Sequence, residues 1–411
     1  MFARLSTVVT LLALVAAGCG PGSAPTPPTS APAAQQPKPA APTTAPAAPA
    51  AAPTAAAKPT TAPAAAPTAP AAAPAVTIAA SFEGEAKSLN GAGATFPAAL
   101  YSKWFNEYEK VTGVQINYQS IGSGGGIKSI QDQTVDFGAT DGPMTDEQLK
   151  AAKGGDIFHV PAALGAVVPT YNVPGVTGTL KFTPDTISGI FLGDITRWND
   201  PQLVADNPQL ASINQDIAVV HRSDGSGTTY IWVDYLSTVS KQWEQQVGRG
   251  TSVNWPVGLG GKGNEGVAGE VQQNQYSLGY VELIYALQNK LGAGAVKNKA
   301  GKFVEPNLES VTAAAATAAQ SVAPDLRVSI VDEPGEAVYP ISGFTWLLAY
   351  KNMADKPKGL ALTRMLWWAT HDAQKFNAEL GYAPVPKEIT PKSDAMIRQI
   401  TVEGAPVFPG R

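Results

Sequence analysis

Three glycine-rich segments of this chain have the composition of turns that bind an anion. They read GAGATFP (residues 91–97), IGSGGGIKS (121–129) and RSDGSGTTY (222–230), and each joins a strand-like run to a helix-like run. The first backbone N–H groups of a helix have no partner inside the helix, and the helix dipole places partial positive charge there. Glycine lets the backbone approach a ligand closely, and serine and threonine add hydroxyl donors. One such turn is common loop chemistry, but three in one chain predict a site for an oxyanion.

Three charged residues in or near these turns refine that prediction. Arg222 opens the third segment, and its planar guanidinium suits bidentate contact with a tetrahedral oxyanion. Asp224 lies two residues further on and could hold that guanidinium in place. Asp141, in ATDGP, is useful beside an anion only if the ligand carries a proton that a buried carboxylate can accept. Taken alone, ATDGP is also typical of an ordinary turn.

Composition excludes several other kinds of site. The chain has 411 residues, a net charge of −4, one cysteine and three scattered histidines. It therefore has no intramolecular disulfide or paired-cysteine metal site, and a histidine-rich metal centre is not favoured. No segment fits the G-x-x-x-x-G-K-[ST] nucleotide loop, and IGSGGG lacks a convincing dinucleotide-binding context. We expect no metal and no cofactor, and the acidic balance argues against nucleic acid as the main partner.

A hydrolase is an alternative that the residues alone leave open. A phosphatase or phosphoesterase needs a nucleophile with a base, or paired metals. Ser226 stands in D-G-S-G-T and not in the G-x-S-x-G pattern, but His221 is near it in sequence. A histidine beside an arginine at a strand end more often packs or faces solvent. We therefore expect a binding protein and not an enzyme.

The elements that must position these turns alternate between strand and helix. A helix is predicted over residues 97–113, with proline early and glycine at its end. VQINYQSIG (114–122) alternates like a strand. Two longer apolar, β-rich segments are PAALGAVVPTYN (161–172) and YPISGFTWLLAYK (339–351). This alternation indicates an α/β fold with open sheets.

The N-terminal part of the chain has the composition of a targeting segment and a linker. Residues 1–18 read as a signal peptide, because one arginine precedes an apolar run too short for a comfortable membrane span. Small residues before Cys19 resemble the lipobox of bacterial lipoproteins, with Ala16 in place of the usual leucine, so we expect Cys19 to be lipidated. Residues 19–79, rich in alanine, proline and threonine, cannot bury enough apolar surface to fold. We expect them to form a disordered tether.

Five longer segments together resemble one known family. They are GAGATFPAALYSKWFNEY, YQSIGSGGG, VDFGATDGPM, HRSDGSGTT and GKGNEGVAGEVQ. The family that they resemble is that of the PstS-type phosphate-binding lipoproteins of bacterial phosphate ABC importers. The resemblance covers residues 85–411 in order. It implies an α/β, two-lobed periplasmic-binding-protein fold of the flytrap, type II kind, preceded by the tether. It also implies capture of inorganic phosphate outside the cytoplasm, an anchor in the cell membrane through Cys19, and delivery to the permease subunits of an ABC importer. We expect a monomer.

The resemblance assigns roles to individual residues. The acid at Asp141 accepts the phosphate proton, and Asp224 orients the arginine. The other implied phosphate ligands are Thr95, Phe96 through its backbone N–H, Ser123, Arg222, Ser226, Gly227 and Thr228. Two positions depart from the family pattern, since Gly124 and Thr140 stand where many relatives have serine. The first departure removes one hydroxyl near the expected site.

The two long β-rich segments also mark where the chain could cross between lobes. We expect lobe one to comprise residues 80–164 and 341–411, and lobe two residues 165–340, with the anion bound between them. The ligand could instead be sulfate, molybdate or tungstate, and Asp141 is the discriminating residue because those dianions carry no proton at neutral pH. A sensory protein, in which phosphate binding reports to a partner, is a further alternative that the sequence does not separate from transport.

Overall fold

A computed structural model describes residues 82–319 and 322–408 of the chain. The predicted signal peptide (1–18), the predicted tether (19–79) and Cys19 lie outside these residues. All of the described residues belong to one compact unit. The predicted division into two lobes falls inside this unit and stays a prediction.

The described residues contain fifteen strands, twelve α-helices and three short 3₁₀ helices. The strands are β1 (Ser88–Gly93), β2 (Gln115–Ser120), β3 (Phe137–Thr140), β4 (Ile157–Asn172), β5 (Lys181–Phe182), β6 (Ala218–Arg222), β7 (Leu259–Gly261), β8 (Ser277–Glu282), β9 (Gly292–Ala293), β10 (Ala295–Lys297), β11 (Phe303–Val304), β12 (Ser342–Tyr350), β13 (Asn352–Met353), β14 (Thr401–Val402) and β15 (Ala405–Pro406). The α-helices are α1 (Ala98–Thr112), α2 (Ser123–Gln131), α3 (Asp146–Lys150), α4 (Pro184–Leu192), α5 (Pro201–Asp206), α6 (Gly227–Val239), α7 (Lys241–Gln246), α8 (Gly263–Gln273), α9 (Leu283–Gln288), α10 (Leu308–Ala318), α11 (Lys356–Thr370) and α12 (Thr390–Arg398). The 3₁₀ helices are Pro208–Leu210, Asp372–Phe376 and Ala378–Leu380.

A mixed sheet of nine strands organises the described residues. Its order is β2-β1-β3-β12-β4-β8-β6-β7, and β9 pairs with β4 beside this path. At one end β1 lies parallel to β2 and β3, and at the other end β6 lies parallel to β7 and β8. Between these two groups β12 and β4 run antiparallel to each other. The predicted α/β fold class is confirmed.

Strand β4 connects the two ends of the sheet. Its first part, Ile157–Ala166, pairs with β12, and its second part, Val167–Asn172, pairs with β8. Nearly every residue of β4 and β12 is buried. A continuous apolar run, without the alternation of a half-exposed strand, is typical of strands covered on both faces. Both long β-rich segments of the sequence are therefore central strands.

Helix α1 shows that the local start and stop signals were predicted correctly. The helix begins directly after Pro97 and is followed by Gly113, whose φ of 69° is the left-handed conformation that glycine adopts without steric penalty. Its inward face buries Tyr101, Trp104 and Tyr108. Burial of three aromatic rings fixes the helix against the sheet, and with it the turn that precedes the helix. Among the helices of residues 82–319 and 322–408, none is long and apolar enough to cross a membrane.

Candidate functional site

Each of the three glycine-rich turns joins a strand to a helix, as the sequence predicts. The first turn joins β1 to α1, the second joins β2 to α2, and the third joins β6 to α6. The first two turns follow the carboxyl ends of the parallel strands β1 and β2, and the third follows β6, which is parallel to β8. Since β4 runs parallel to β1 and antiparallel to β8, these two groups of strands point in opposite directions, with their carboxyl ends toward the middle of β4. Ligands of α/β proteins bind at the carboxyl ends of the strands. Ser226 caps α6, because its Oγ accepts a hydrogen bond from the backbone N–H of Thr229 at 3.0 Å.

The second and third turns touch through their backbones. The N–H of Gly124 donates to the carbonyl oxygen of Gly225 at 2.8 Å. A Cβ atom at Gly124 would lie 2.9 Å from the Cα of Gly225, which is closer than real Cβ contacts. The departure from the family pattern at position 124 therefore has a local reason, since glycine permits this contact.

Arg222 is buried and held by the carboxylate two residues further along the chain. Its Nε donates to Oδ1 of Asp224 at 2.8 Å and its Nη2 donates to Oδ2 at 2.6 Å. The side chain of Arg222 is 1 % exposed, and its Nη1 has no hydrogen-bond partner among the described residues. Burial disfavours ionised Asp224, but the hydrogen bonds and charge of Arg222 outweigh burial, so the pKa of Asp224 is lowered. The pair leaves one guanidinium nitrogen free to donate to a ligand.

Asp141 is a buried acid with one unpaired oxygen. It is 1 % exposed, and its Oδ1 has no hydrogen-bond partner among the described residues. Ser123 accepts from the backbone N–H of Asp141 at 3.2 Å and donates to its Oδ2 at 3.3 Å. Burial raises the pKa of Asp141 to about 7, although Thr345, Arg222 and Ser123 act in the opposite direction. Near neutral pH this carboxyl can therefore accept a proton or share one with a ligand.

Helix α6 begins directly against the turn that carries Asp141. A Cβ atom at Gly227 would lie 2.6 Å from both the Cβ and the backbone nitrogen of Asp141. Only a residue without a side chain fits there. Glycine at position 227 thus brings the positive end of α6 to the buried acid.

Asn264, at the start of α8, connects the first turn to the third. Its Nδ2 donates to Oγ1 of Thr95 at 2.8 Å and to Oγ1 of Thr228 at 3.0 Å. All three residues are buried. The segment GKGNEGVAGEVQ contains Asn264, but sequence reasoning gave this residue no role, because a single asparagine has no spacing pattern that would reveal its contacts.

Tyr280, on β8, is a second residue that the sequence did not single out. Its hydroxyl lies 2.7 Å from Oγ1 of Thr229 and accepts from the backbone N–H of Arg222 at 3.2 Å. These contacts join the end of β6 to the first turn of α6. Tyr280 therefore fixes the two elements on which Arg222, Gly227 and Thr228 stand.

The arrangement does not favour the hydrolase alternative. The Oγ of Ser226 caps α6, and the ring of His221 stacks on Trp255 with 4.8 Å between centroids. Among the described residues, no hydrogen bond joins His221 to Ser226, and no cluster of three His, Cys, Asp or Glu could hold a metal. The serine and histidine that the sequence offered to a hydrolase are therefore not paired with each other.

The site is a buried cluster of donors around one acid. Arg222 supplies a cation, the starts of α2 and α6 supply backbone N–H groups, and Thr95, Ser123 and Thr228 supply hydroxyls. Such donors match the oxygens of a tetrahedral oxyanion, and the free oxygen of Asp141 matches a proton on that anion. The contacts connect Thr95, Ser123, Asp141, Arg222, Asp224, Gly227 and Thr228, with Phe96 and Ser226 adjacent in the chain.

Comparison with known proteins identifies a family and several relatives of this chain. A sequence profile of the PBP superfamily domain matches residues 48–363. The phosphate-binding protein PstS of Pasteurella multocida is 44 % identical over 316 residues, covering 76 % of this chain and 90 % of the relative. PstS of Haemophilus influenzae is 45 % identical over 306 residues, covering 74 % of this chain and 91 % of the relative.

Solved structures agree with this result at the level of the fold. A periplasmic phosphate-binding protein, PfluDING, solved with bound phosphate, superposes with a TM-score of 0.61 at 21 % identity, covering 76 % of this chain and 93 % of that one. A phosphate-binding protein from Stenotrophomonas maltophilia superposes with a TM-score of 0.57 at 19 % identity, covering 75 % and 94 %. The chain therefore belongs to the PBP superfamily and, within it, to the PstS family of phosphate-binding proteins.

Proposed function

We propose that this chain is an extracytoplasmic substrate-binding protein that captures inorganic phosphate and delivers it to an ABC importer. The observation that carries the proposal is the pair of unsatisfied buried atoms, Nη1 of Arg222 and Oδ1 of Asp141. A buried polar atom without a partner is unfavourable, and a ligand that pairs with it removes that penalty. A hydrogen-bearing oxyanion pairs with both atoms, since its oxygens accept from the arginine and its P–OH donates to the carboxylate.

The proposed phosphate ligands are those expected from the sequence. Arg222 provides the positive charge, with Asp224 orienting it, and Asp141 receives the phosphate proton. The remaining proposed ligands are Thr95, Phe96, Ser123, Ser226, Gly227 and Thr228. Their support is the contact network described above, in which all three turns meet around the acid.

Selectivity for phosphate over sulfate follows from Asp141. At neutral pH every phosphate species carries at least one proton, whereas sulfate carries none. Sulfate would leave Oδ1 of Asp141 without a hydrogen bond and would face a buried carboxyl that is partly ionised near neutral pH. An unpaired buried acceptor costs about 1–3 kcal/mol, which corresponds to roughly a tenfold to hundredfold difference in affinity.

Release to a permease requires an opening of the site, and the proposed lobes supply it. With lobe one at residues 80–164 and 341–411 and lobe two at 165–340, the Gly124–Gly225 and Thr95–Asn264 hydrogen bonds both cross between lobes. Closure would form these bonds and enclose the anion, and opening would break them.

We further propose that Cys19 is lipidated and that residues 19–79 tether a monomer to the membrane, with no metal, no cofactor and no nucleic acid involved.

Titration calorimetry of the purified protein with phosphate and with sulfate, at neutral pH, tests the binding function. We expect tight binding of phosphate, an affinity for sulfate that is lower by roughly tenfold to hundredfold, and a smaller phosphate-to-sulfate affinity ratio in Asp141→Asn. Asp216→Asn is the matched control, since Asp216 is exposed and pairs only with Arg197 at the surface. A folded protein that binds no phosphate would overturn the proposal, and heat with sulfate or molybdate instead would assign another oxyanion.

Delivery is tested by deleting the gene for this protein from the cells that naturally produce it. Uptake of labelled phosphate should be lost on deletion, restored by the wild-type chain and not restored by Arg222→Gln. Cys19→Ala should move the protein from the membrane fraction to the soluble fraction. Normal uptake without the protein, together with phosphate binding in vitro, would favour the sensory role instead.

A further inference from the structure

Glu282 is a buried acid that the phosphate site described above does not use. It ends β8, caps α9 and is 0 % exposed. Its Oε2 accepts from the backbone N–H of Ile284 at 3.0 Å and lies 3.0 Å from the hydroxyl of Tyr382. Among the residues that the structure describes, its Oε1 has no hydrogen-bond partner, and no arginine, lysine or histidine forms an ion pair with Glu282. A buried carboxylate without a cation is unfavourable, so its protonation state needs an explanation.

The hydrogen bonds around Tyr382 specify where the protons lie. The hydroxyl of Tyr382 is 2.6 Å from the carbonyl oxygen of Phe96, and a carbonyl can only accept. Tyr382 must therefore donate its single proton to Phe96. The contact between Tyr382 and Glu282 then has no proton unless the carboxyl of Glu282 provides it.

We propose that Glu282 is a neutral carboxylic acid that donates to Tyr382 and thereby positions Phe96 in the first turn of the site. The proton order is Glu282 to Tyr382 to the Phe96 carbonyl, with Oε1 of Glu282 as the carbonyl oxygen of the acid. The role given to Phe96 rests on the proposed function, in which its N–H binds phosphate. Glu282 itself does not touch the ligand and is a positioning residue.

The carbonyls of Thr95 and Phe96, in the first turn, are each held by a tyrosine that is connected to Glu282. The carbonyl of Thr95 accepts from the hydroxyl of Tyr285 at 2.6 Å, and the carbonyl of Phe96 accepts from Tyr382. Tyr285 lies on α9, and Glu282 caps that helix. Glu282 therefore contacts Tyr382 and caps the helix of Tyr285, the two tyrosines that donate to Thr95 and Phe96.

A third connection runs through the backbone of Glu282. Its N–H donates to Oδ1 of Asn264 at 2.9 Å, and Nδ2 of the same asparagine donates to Thr95 and Thr228. The end of β8 is thus bonded to the first and third turns at once. A shift of Glu282 would move hydroxyls that are proposed phosphate ligands.

The surroundings of Glu282 favour its neutral form. The titratable groups that face it are Tyr382, Tyr285 and Asp141, none of which is a cation. Burial raises the pKa of Glu282 well above its usual range, and the negative charge of Asp141 raises it further. An ionised Glu282 would add a second negative charge close to an anion site, which a neutral acid avoids.

Infrared spectroscopy of the phosphate-free protein tests the protonation state directly. At about pH 9, where ordinary carboxyls and Asp141 are ionised, we expect a carboxylic-acid C=O band that is missing in Glu282→Gln and retained in Asp141→Asn. Tyr382→Phe should shift the same band, because the acid loses its hydrogen-bond acceptor. That shift identifies the band even if Glu282→Gln does not fold.

Phosphate titration tests the positioning role. Tyr382→Phe keeps the ring that packs edge-on against Phe96, with 6.0 Å between centroids, and loses only the hydroxyl. We expect phosphate affinity to fall about tenfold, the effect of one lost hydrogen bond. Tyr350→Phe is the matched control, since Tyr350 also donates to a backbone carbonyl, that of Ile130, and contacts none of the proposed ligands. It should leave both the affinity and the band unchanged.

The outcomes separate this inference from the proposed function. Absence of the acid band in the wild-type spectrum would overturn the inference, whether or not phosphate binds. A band that Tyr382→Phe does not shift, or an unchanged affinity in that variant, would overturn the link to Phe96. If the wild type shows the band and Tyr382→Phe shifts it, but the wild type binds no phosphate, the proposed function fails. The assignment of Glu282 as a neutral acid would still stand.

Discussion

Ser123 and Asp141 form a reciprocal pair of hydrogen bonds at the centre of the candidate site. The hydroxyl of Ser123 accepts from the backbone N–H of Asp141 at 3.2 Å and donates to its carboxylate at 3.3 Å. One side chain thus fixes both the backbone and the carboxyl group of the acid. Oδ1 is left as the one oxygen of Asp141 that has no partner among the described residues.

Replacing Ser123 should change the protonation of Asp141. In Ser123→Ala the carboxylate loses a donor that stabilises its charged form, so we expect the pKa of Asp141 to rise above its value of about 7. Nuclear magnetic resonance titration of the Asp141 carboxyl carbon, in phosphate-free protein, measures the shift. Ser102→Ala, on the exposed face of α1, is the control and should leave this pKa unaltered. An unchanged or lower pKa in Ser123→Ala would show that the hydroxyl does not support the carboxylate.

The raised pKa of Asp141 also predicts how stability depends on pH. Because the folded pKa of about 7 exceeds the ordinary value of 3.8, the folded state binds the proton more tightly than the unfolded state. The resulting stabilisation is fully present below pH 3.8 and is lost as pH rises to about 7. Its upper limit is on the order of 4 kcal/mol, since one pKa unit corresponds to about 1.4 kcal/mol.

Urea unfolding of phosphate-free wild type and Asp141→Asn, at several pH values across this range, measures the effect. The stability of the wild type relative to the variant should fall steadily with rising pH and level off above neutrality. Most of the contribution of Glu282 cancels, because both proteins contain it and burial is the main cause of its raised pKa. A difference that does not vary with pH would mean that Asp141 keeps an ordinary pKa.

The local parts of the fold were predictable because their signals lie within a few residues. Proline and glycine mark the two ends of α1, and Ser226 caps α6 within a turn that reads as strand, glycine and helix. The proposed anion-binding role of the three turns rests on the same short segments. Arg222 and Asp224 are only two residues apart, so their hydrogen bonds also lie within one short segment.

The long-range parts were not predictable in the same way. Strand β12, which begins at Ser342, enters the sheet between β3 and β4, which end far earlier in the chain at Thr140 and Asn172, and no local pattern specifies those neighbours. Asn264 is separated from Thr95 by 169 residues, and Tyr382 from Glu282 by 100. Such contacts depend on the packing of the whole unit, so single side chains that connect the turns were missed.

Gly227→Ala should separate helix α6 from the acid. The added methyl group would lie 2.6 Å from the backbone nitrogen of Asp141, so the start of the helix must move away. We expect phosphate affinity to fall at least tenfold, because the arrangement of several donors changes together. Titration calorimetry measures the loss.

The control for this substitution is another helical glycine. Gly269, inside α8, has no atom near the position of an added Cβ, so Gly269→Ala should keep wild-type affinity and gain slightly in stability. Equal affinities for Gly227→Ala and the wild type would mean that α6 can shift without loss of binding.

Asn264→Asp should weaken binding even though the side chain keeps its shape. The introduced carboxylate would still accept from the N–H of Glu282, as Oδ1 of the asparagine does at 2.9 Å, but the donor that serves Thr95 and Thr228 would be lost. The substitution would also place a buried negative charge beside the proposed anion site. We expect at least a tenfold loss of phosphate affinity at neutral pH, with partial recovery at lower pH as the new carboxyl is protonated. Asn214→Asp, at an exposed position next to Arg197, is the control and should bind like the wild type. A pH-independent loss in Asn264→Asp would assign the effect to the missing donor alone, and unchanged affinity would remove Asn264 from the site.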